Sequence, residues 1–344
     1  MTVASQNASC YFGLVDSHTH WLPYQFPAYL GQPKCVAWPS MALGDLVRDR
    51  KVIINGMIYR AVTDSSWDAG RRLQEMTPTG VTHQVVSPML ELLSYWLAAY
   101  EAPSLNFLIN EELVAIVSAD LAHFTSLCAL PMQDVELDIV ELERYIRLGL
   151  AGVELGTNIN VKLPVQVDHA LFFAASKLLC DAIFVHALRP AGMERLVGLP
   201  PLEQVQDFPS IVGLATASLL TSGTLARLPK LRIAFSHVGD SLAILLPRQQ
   251  HRWEQLSPIR KLFGQLPREL FRQLFVDDLV YDAKTIRILL QVFGTTQALA
   301  LTDYTFAITD REPSRRIDQL TLDAATCRLL RQDNALRWLG RDSS

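Results

Sequence analysis

Histidine and aspartate side chains follow several short apolar runs in this chain. His18 and His20 come directly after GLVDS, His186 ends AIFVH and Asp303 ends ALALTD. In an extended chain, residues two apart point to the same side, so both rings of His18-x-His20 can reach one ion. Imidazole nitrogen and carboxylate oxygen suit Zn²⁺, and Asp303 can also accept a proton from bound water. The pattern predicts one metal site built from His18, His20, His186 and Asp303.

Each of these residues also has an ordinary structural explanation. An isolated HxH is also typical of solvated histidines near a turn, and His186 fits a core histidine bonded to a backbone carbonyl. The recurrence of such residues at matching strand ends favours the metal site. His237 ends LRIAFSH and is interpreted as the general base, because histidine titrates near neutral pH. A fourth nitrogen ligand is the alternative role for His237.

Short β-branched runs alternate with helical patterns along the chain, which predicts βα units and a parallel sheet. Eight strands are predicted, the number that a (β/α)8 barrel needs. They span residues 11–16, 83–87, 124–130, 152–155, 182–186, 231–237, 274–276 and 298–303. Because the strand C-termini of such a barrel point at the active-site mouth, the candidate ligands are expected to meet there.

Helical periodicity fills the intervals between the strands. Helices are predicted over 67–76, 104–122, 135–148, 168–179, 241–255, 283–293 and 324–339, the first capped by Ser66. Residues 21–65 break the rhythm with a stretch whose opening is rich in proline and aromatic residues. They are predicted to form a lid-like insertion over the barrel mouth, too small for a core of its own. The whole chain, 1–344, is therefore interpreted as a single α/β barrel domain.

Composition excludes several classes of protein. The 344 residues carry a formal net charge of -4, spread along the chain, which disfavours nucleic acid and anionic membrane surfaces as partners. The first fifteen residues lack a signal-peptide pattern, and no apolar run is long enough to span a bilayer. Five scattered cysteines without a CxxC pair fit a reduced compartment. A soluble, cytoplasmic protein is expected.

The candidate ligands lie within longer segments that resemble a known family. These segments are VDSHTHWLP, YRAVTDSSWD, GVTHQVVSP, LINEEL, GVELGTNIN, FVHAL, LARLPKLRIAFSHVGD, FVDDLVYD and LTDYTF. In order and spacing they resemble the amidohydrolase-related family of 2-amino-3-carboxymuconate 6-semialdehyde decarboxylases (ACMSD), over almost the whole chain. The resemblance implies a distorted TIM (β/α)8 barrel with a small insertion after strand 1. It also implies one Zn²⁺ per chain on His18, His20, His186 and Asp303, and no organic cofactor.

The same resemblance implies a carboxy-lyase that decarboxylates a small unsaturated or aromatic carboxylic acid without oxidation. His237 is the implied acid/base, which activates metal-bound water. Arg60 and Arg248 are the implied binders of substrate carboxylates, because guanidinium forms two-pronged bonds to carboxylate. Arg248 is expected to reach the site of a neighbouring subunit, which makes the active form a homodimer. An ordinary surface arginine is the alternative for each.

This sequence also departs from the family pattern around the site. Val238 and Asp240 replace glycines, Leu301 and Thr305 replace the Gly and Pro of GTDYPF, and HALR stands where HPWD is common. No predicted ligand is lost, so these departures bear on the identity of the substrate. Arg189 and Asp240 are candidates for new polar contacts in an altered pocket.

The sequence is also consistent with other functions. A metal-dependent hydrolase or hydratase acting on a lactone or dienoate would use the same activated water, and a metal-binding protein without turnover is a third reading. GVELG has no lysine at its end to bridge two ions, which disfavours a two-metal hydrolase. Glu154 in that segment either faces the pocket or bonds to backbone. Mn²⁺ and Fe²⁺ are alternatives to Zn²⁺, since imidazole and carboxylate accept several ions.

Overall fold

Eight parallel strands form the main sheet of the protein. The computed structural model describes residues 13–29, 36–159, 170–179, 181–188, 197, 202–237 and 239–341. The strands are β1 (Leu14–Trp21), β2 (Ser40–Leu43), β3 (Asp49–Ile54), β4 (Met57–Thr63), β5 (Val81–Pro88), β6 (Phe124–Ala129), β7 (Gly152–Gly156), β8 (Ala182–His186), β9 (Arg232–Phe235), β10 (Phe275–Asp277) and β11 (Ala298–Leu299). The order β1-β5-β6-β7-β8-β9-β10-β11 confirms the predicted TIM barrel, and a bridge between Thr19 and Tyr304 joins its two ends.

The barrel strands are buried along nearly their whole length, because parallel strands of this kind are covered on both faces. Every residue of β1, β6, β7 and β8 is buried. One buried cluster takes residues from most barrel strands, among them Val15, Val85 and Phe184, together with Trp338 from the last helix. The Trp338 indole donates to the carbonyl of Ile183 at 3.2 Å. This cluster fills the barrel interior, and its Phe184 ring lies 4.8 Å from the His18 ring between centroids.

Helices separate the barrel strands. They are α1 (Ala69–Thr79), α2 (Ala102–Ala119), α3 (Val135–Arg147), α4 (Ala170–Leu179), α5 (Leu202–Thr221), α6 (Thr224–Arg227), α7 (Gly239–Gln255), α8 (Ser257–Phe263), α9 (Pro267–Phe271), α10 (Ala283–Phe293), α11 (Pro313–Asp318), α12 (Ala324–Arg328) and α13 (Asn334–Trp338). The 20-residue α5 was not predicted, because its long apolar stretch has little helical alternation. The predicted helix 324–339 is two helices joined by a π turn at Leu329–Asp333.

The predicted cap of the first helix was wrong. Ser66 lies in the short 3-10 helix Asp64–Ser66, and α1 begins three residues later, at Ala69. Asp68 caps α1, because its carboxylate accepts from the backbone N–H of Arg71 at 3.0 Å. An ionised acceptor at a helix N-terminus also meets the positive end of the helix dipole, which favours aspartate over serine there.

Two strand boundaries differ most from the prediction, and the other barrel strands differ by at most two residues at either end. The first strand was expected to end at residue 16, before the histidines, but β1 continues through His18 and His20 to Trp21, paired with β5. The last strand was expected over 298–303, but β11 has only two residues. Beyond it the chain leaves the ladder, and Asp303 adopts a left-handed backbone with φ 59°. The local sequence pattern does not show how many residues of a strand pair with the neighbouring strand.

The insertion after β1 is a small antiparallel sheet in the order β2-β3-β4. Its β3–β4 hairpin turns at Asn55 and Gly56, both with positive φ, as a tight hairpin turn requires. Val52, Ile54 and Val62 are buried and join the main core, so the sheet is packed against the barrel. None of the helices in the described part of the chain is both long and apolar enough to cross a membrane.

Candidate metal centre

The barrel brings the four predicted ligands together at the C-terminal ends of its strands. The ligand atoms of His18, His20, His186 and Asp303 all lie within 4.8 Å of one another, and all four residues are buried. His20 Nε2 lies 2.9 Å from His18 Nε2 and 3.1 Å from Asp303 Oδ1. The rings of His18 and His186 are 4.6 Å apart between centroids. Residues up to 285 positions apart in sequence therefore share one small volume.

The hydrogen bonds of these rings leave nitrogen atoms for an ion. Nδ1 of His20 lies 3.2 Å from the carbonyl of Pro88, and Nδ1 of His186 lies 3.0 Å from the carbonyl of Ala187. A carbonyl accepts only from a protonated nitrogen, so the lone pair of each ring is on Nε2. His186 Nε2 is buried with no hydrogen-bond partner in the described structure. The donor set fits a divalent cation.

The protonation of the cluster agrees with that fit. Burial, with a smaller contribution from the neighbouring imidazoles, lowers the pKa of His18 and of His186 well below the usual range. Both rings are therefore neutral at neutral pH, which is the form that binds a metal. Crowding three imidazole rings around one carboxyl group gains little unless a cation is placed among them.

His237 lies beside this cluster and is not one of its four members. It follows β9 in a turn with φ 50°, and its backbone N–H donates to Asp277 Oδ2 at 2.5 Å. Its ring centroid is 5.1 Å from that of His186 and 5.9 Å from that of His18. Nε2 is buried and has no hydrogen-bond partner among the described residues. Burial lowers the pKa of His237, although Asp303 opposes this shift, so the ring can accept a proton.

A small cavity adjoins the cluster. His186, His237 and Asp303 form its polar floor, and Arg60 contributes a guanidinium. The remaining wall is apolar and consists of Leu90, Phe208, Phe306 and Ile308. The Phe306 ring stacks on the His20 ring with centroids 4.5 Å apart and planes 21° apart. The Arg60 guanidinium beside this flat apolar wall suits a ligand with an anionic group attached to a planar system.

Arg60 reaches this cavity from the insertion. In β4 a bulge places Tyr59 outside the ladder, since Val52 pairs with Arg60 and Ile53 pairs with Ile58. The Tyr59 hydroxyl donates to Glu91 Oε1, and Arg60 Nη2 lies 3.9 Å from the same oxygen. The bulge therefore directs two consecutive side chains to one buried carboxylate. The Arg60 guanidinium also lies 3.7 Å from the Phe306 ring centroid.

Arg248 is not at the site of its own chain. It is exposed on α7, and the cavity lining among the described residues does not include it. Ile244 and Leu245, four and three residues earlier on the same helix, are 78% and 44% exposed. Residues at these spacings share a helix face, so Arg248 stands at the edge of an exposed apolar patch.

The remaining candidates have mixed positions. Glu154 is fully buried in β7; its Oε1 accepts from Ser87 Oγ at 3.2 Å, and its Oε2 has no hydrogen-bond partner among the described residues. Burial raises its pKa well above the usual range. Arg189 and the side chain of Asp240 lie outside the described residues.

Several residues of the site were not predicted from the sequence. Glu91, Asp277, Phe208 and Phe306 touch Arg60 or His237 or line the cavity. Phe306 and Asp277 lie in the segments LTDYTF and FVDD, which carry the family resemblance, so a signal for them existed. Glu91 and Phe208 come from a short 3-10 helix and from α5, where nothing in the local pattern distinguishes them.

Comparison with known proteins agrees with this arrangement. A family model described as amidohydrolase matches residues 15–341. The 2-amino-3-carboxymuconate-6-semialdehyde decarboxylase of Dictyostelium discoideum is 30% identical over 333 residues, which is 95% of this chain and 92% of the relative.

Solved structures share the fold at lower identity. The apo IDCase of Metarhizium anisopliae superposes with a TM-score of 0.81 at 16% identity, covering 98% of this chain and 100% of that one. A dihydroxybenzoic acid decarboxylase from Polaromonas sp. JS666, solved with manganese and the inhibitor 2-nitroresorcinol, has a TM-score of 0.69 at 18% identity. That match covers 80% of this chain and 87% of the other.

Proposed function

The chain belongs to the amidohydrolase family as a carboxy-lyase, and from that premise we propose the reaction: metal-dependent, non-oxidative decarboxylation of an unsaturated or aromatic carboxylic acid. The observation that carries the proposal is the convergence of four buried ligand atoms within 4.8 Å, beside a separate neutral histidine. Decarboxylation replaces a carboxylate by a proton, so the site needs an anion binder and a proton carrier. Arg60 and His237 supply these two groups in one cavity.

The proposed metal ligands are His18, His20, His186 and Asp303. Three imidazoles and one carboxylate suit Zn²⁺, and the manganese in the Polaromonas enzyme makes Mn²⁺ the principal alternative. When bound, the ion supplies a Lewis acid that lowers the pKa of water and stabilises negative charge next to the cavity. Hydrogen bonds to the carbonyls of Pro88 and Ala187 hold the rings of His20 and His186 in a fixed orientation.

Arg60 is proposed to bind a carboxylate of the substrate. Its guanidinium is held from two sides, by the ring of Phe306 and by Glu91. A guanidinium that is already ordered loses little rotamer freedom when it binds an anion. The apolar wall then receives the planar part of the substrate and excludes water. Residues 21–65, which carry Arg60, are proposed to act as a lid of the single barrel domain.

His237 is proposed to carry the proton. Its buried, neutral ring can take a proton through Nε2, and the backbone bond to Asp277 keeps the ring at the cavity floor. The proton comes from solvent, and His237 passes it to the carbon that bears the leaving carboxylate. The electrons of the carbon–carbon bond then return to the unsaturated system as CO₂ departs, so no oxidant is required. Asp277 lies 4.0 Å from Nδ1 and stabilises the imidazolium that forms between the two proton transfers.

A substrate screen tests this function. The purified chain, loaded with Zn²⁺ or Mn²⁺, is incubated with aromatic and dienoic carboxylic acids as well as with lactones. Release of CO₂ and a product lighter by CO₂ are expected. A product heavier by one water, without CO₂, would instead indicate the hydrolase or hydratase that shares this scaffold.

The homodimer is a second part of the proposal. Arg248 lies beside the exposed Ile244 and Leu245, and an exposed apolar patch on a soluble helix is typical of a protein–protein interface. Pairing two copies over this face would place Arg248 of one subunit at the site of the other. Mixed dimers of Arg248→Ala and His237→Ala subunits test this, since each mixed dimer would contain one complete site. Activity recovered on mixing is expected, and none would contradict the shared site.

A further inference from the structure

We propose that Asp16 and Arg72 are positioning residues that align the metal ligands across the seam of the barrel. The seam is the place where β1 meets residues 300–304, the chain that follows β11. This inference rests on the proposed metal site and adds to it two residues that contact neither substrate nor ion. Neither belongs to the cavity lining, and each bonds instead to the backbone that carries a ligand.

The seam needs support beyond backbone pairing. β11 has only two residues in its ladder, and Asp303 lies past its end with a left-handed backbone. Three backbone bonds cross the seam: Ser17 N–H to Ala300 at 3.0 Å, Asp303 N–H to His18 at 3.1 Å and His20 N–H to Tyr304 at 2.6 Å. Two ligands on β1 and one on the loop after β11 therefore depend on how these two segments are held together.

Asp16 holds both segments with one carboxylate. Its Oδ1 accepts from the backbone N–H of Thr302 at 3.0 Å and from that of His18 at 3.3 Å. Its Oδ2 accepts from the Thr302 hydroxyl at 2.5 Å. Asp16 is 1% exposed, so these bonds do not compete with water. Asp16 thus fixes the backbone of the ligand His18 and that of Thr302, which precedes the ligand Asp303.

Arg72 holds the other histidine from the outer side of β1. Its Nη2 donates to the carbonyl of His20, and its Nη1 donates to Gln84 Oε1 at 3.1 Å. The guanidinium also lies 5.0 Å from the ring of Tyr304, the residue after Asp303. Arg72 is completely buried in α1, where an arginine without a positional role would be costly. The planar guanidinium therefore connects α1, β1 and the loop after β11.

This arrangement makes a quantitative prediction about metal binding. Outer groups that orient ligands typically change metal affinity ten- to a hundredfold when they are removed. We expect Asp16→Ala to weaken the affinity of the metal-free protein for Zn²⁺ by about tenfold or more. Asp16→Asn should lose less, since its amide oxygen still accepts a backbone N–H. Competition with a chromogenic chelator measures the dissociation constant, and substitution by Co²⁺ reports ligand geometry through its visible absorption.

Asp138→Asn is the matched control. Asp138 is also completely buried and accepts from a backbone N–H, that of Met132, at 3.1 Å, but it does not bond to either segment of the seam. A similar loss of melting temperature in the metal-free state is expected for Asp138→Asn and Asp16→Asn. Only Asp16→Asn should show a smaller rise in melting temperature on adding Zn²⁺, because that rise follows metal affinity.

Arg72→Lys provides the second variant. Lysine keeps the charge but cannot bond to His20 and Gln84 with one rigid plane, so an altered Co²⁺ spectrum is expected. Unchanged Zn²⁺ affinity and an unchanged spectrum in Asp16→Ala and Arg72→Lys would overturn the positioning role. Failure of the unmodified protein to bind Zn²⁺, Mn²⁺ or Co²⁺ would be a different result, since it would overturn the metal site itself.

Discussion

Buried histidines at the two ends of the barrel differ in whether their ring nitrogens have hydrogen-bond partners. His83 enters β5 near the N-terminal side, and both of its ring nitrogens have partners: Ala122 carbonyl at 3.0 Å and Thr125 hydroxyl at 2.8 Å. At the opposite end, His186 and His237 each keep one buried nitrogen without a partner in the described structure. A buried polar atom without a partner costs about 1–3 kcal/mol, so such atoms persist where something else needs them. Burial alone therefore does not distinguish a structural histidine from a functional one, whereas partner bonds do.

Removing a predicted ligand is expected to have the largest effect. His18→Ala or Asp303→Ala should lower bound zinc to well below one ion per chain and abolish CO₂ release, because the ion loses one of its four protein ligands. Metal analysis of the purified variants measures this. His83→Ala is the control from the other environment and should keep a full complement of metal. Full metal content in either ligand variant would contradict the assignment.

His237→Ala separates proton transfer from metal binding. The variant should keep its metal and lose about 10²–10⁴-fold in turnover, the usual contribution of a positioned acid or base. Metal content and kcat are measured on the same preparation. His123→Ala is the control, since His123 is exposed and paired with Asp120. Loss of metal in His237→Ala would mean that this histidine is a ligand.

Arg60 tests the connection between the insertion and the cavity. Loss of a charge-assisted hydrogen bond costs about 1.5–3 kcal/mol, so Arg60→Ala should lower kcat/KM by roughly ten- to a hundredfold. Arg60→Lys should recover only part of this, because lysine lacks the planar fork. Arg50→Ala provides a control in the same small sheet, where Arg50 stacks on Tyr24. Equal losses in Arg50→Ala and Arg60→Ala would point to a folding defect of the insertion.

The smallest effect is expected for His83, and it concerns the stability of the folded protein. Burial lowers the pKa of His83 to about 4, so the folded protein binds fewer protons than the unfolded chain between pH 6.5 and about 4. The stability that neutral His83 contributes is fully present above pH 6.5 and is lost as the pH falls to about 4. Because one pKa unit corresponds to about 1.4 kcal/mol, this loss is up to about 3 kcal/mol. Denaturant unfolding across this range measures the slope. His83→Gln should flatten it, and an unchanged slope would assign the effect to other groups.

Much of the barrel and of the candidate site could be predicted from the sequence. All eight barrel strands exist near the predicted positions, because apolar runs such as AIFV must be covered on both faces. The grouping of His18, His20, His186 and Asp303 followed from strand ends alone. The cap at Ser66 failed because two capping residues stand close together, and only the backbone decides which of them begins the helix.

Residues that act across elements could not be found in this way. Glu91 meets Arg60 only because a bulge in β4 redirects Tyr59 and Arg60 together, and a single extra residue in a ladder has no local signature. Thr305, which replaces a proline of the family pattern, places its hydroxyl 3.0 Å from that of Ser66. This contact between the last loop and the end of the insertion depends on packing over a separation of 239 residues.

The sequence by itself determined which residue types stand at the ends of which strands, since alternation, apolar runs and spacing are local properties. Only the tertiary structure decided that His237 lies beside the four-residue cluster, and that Asp16 and Arg72 hold its supporting backbone. The physical reason is that strand register and closure of the barrel depend on contacts between segments far apart in the chain. Local conformational preferences determine which segments form helices and strands. Packing between those elements sets the interatomic distances on which the chemistry depends.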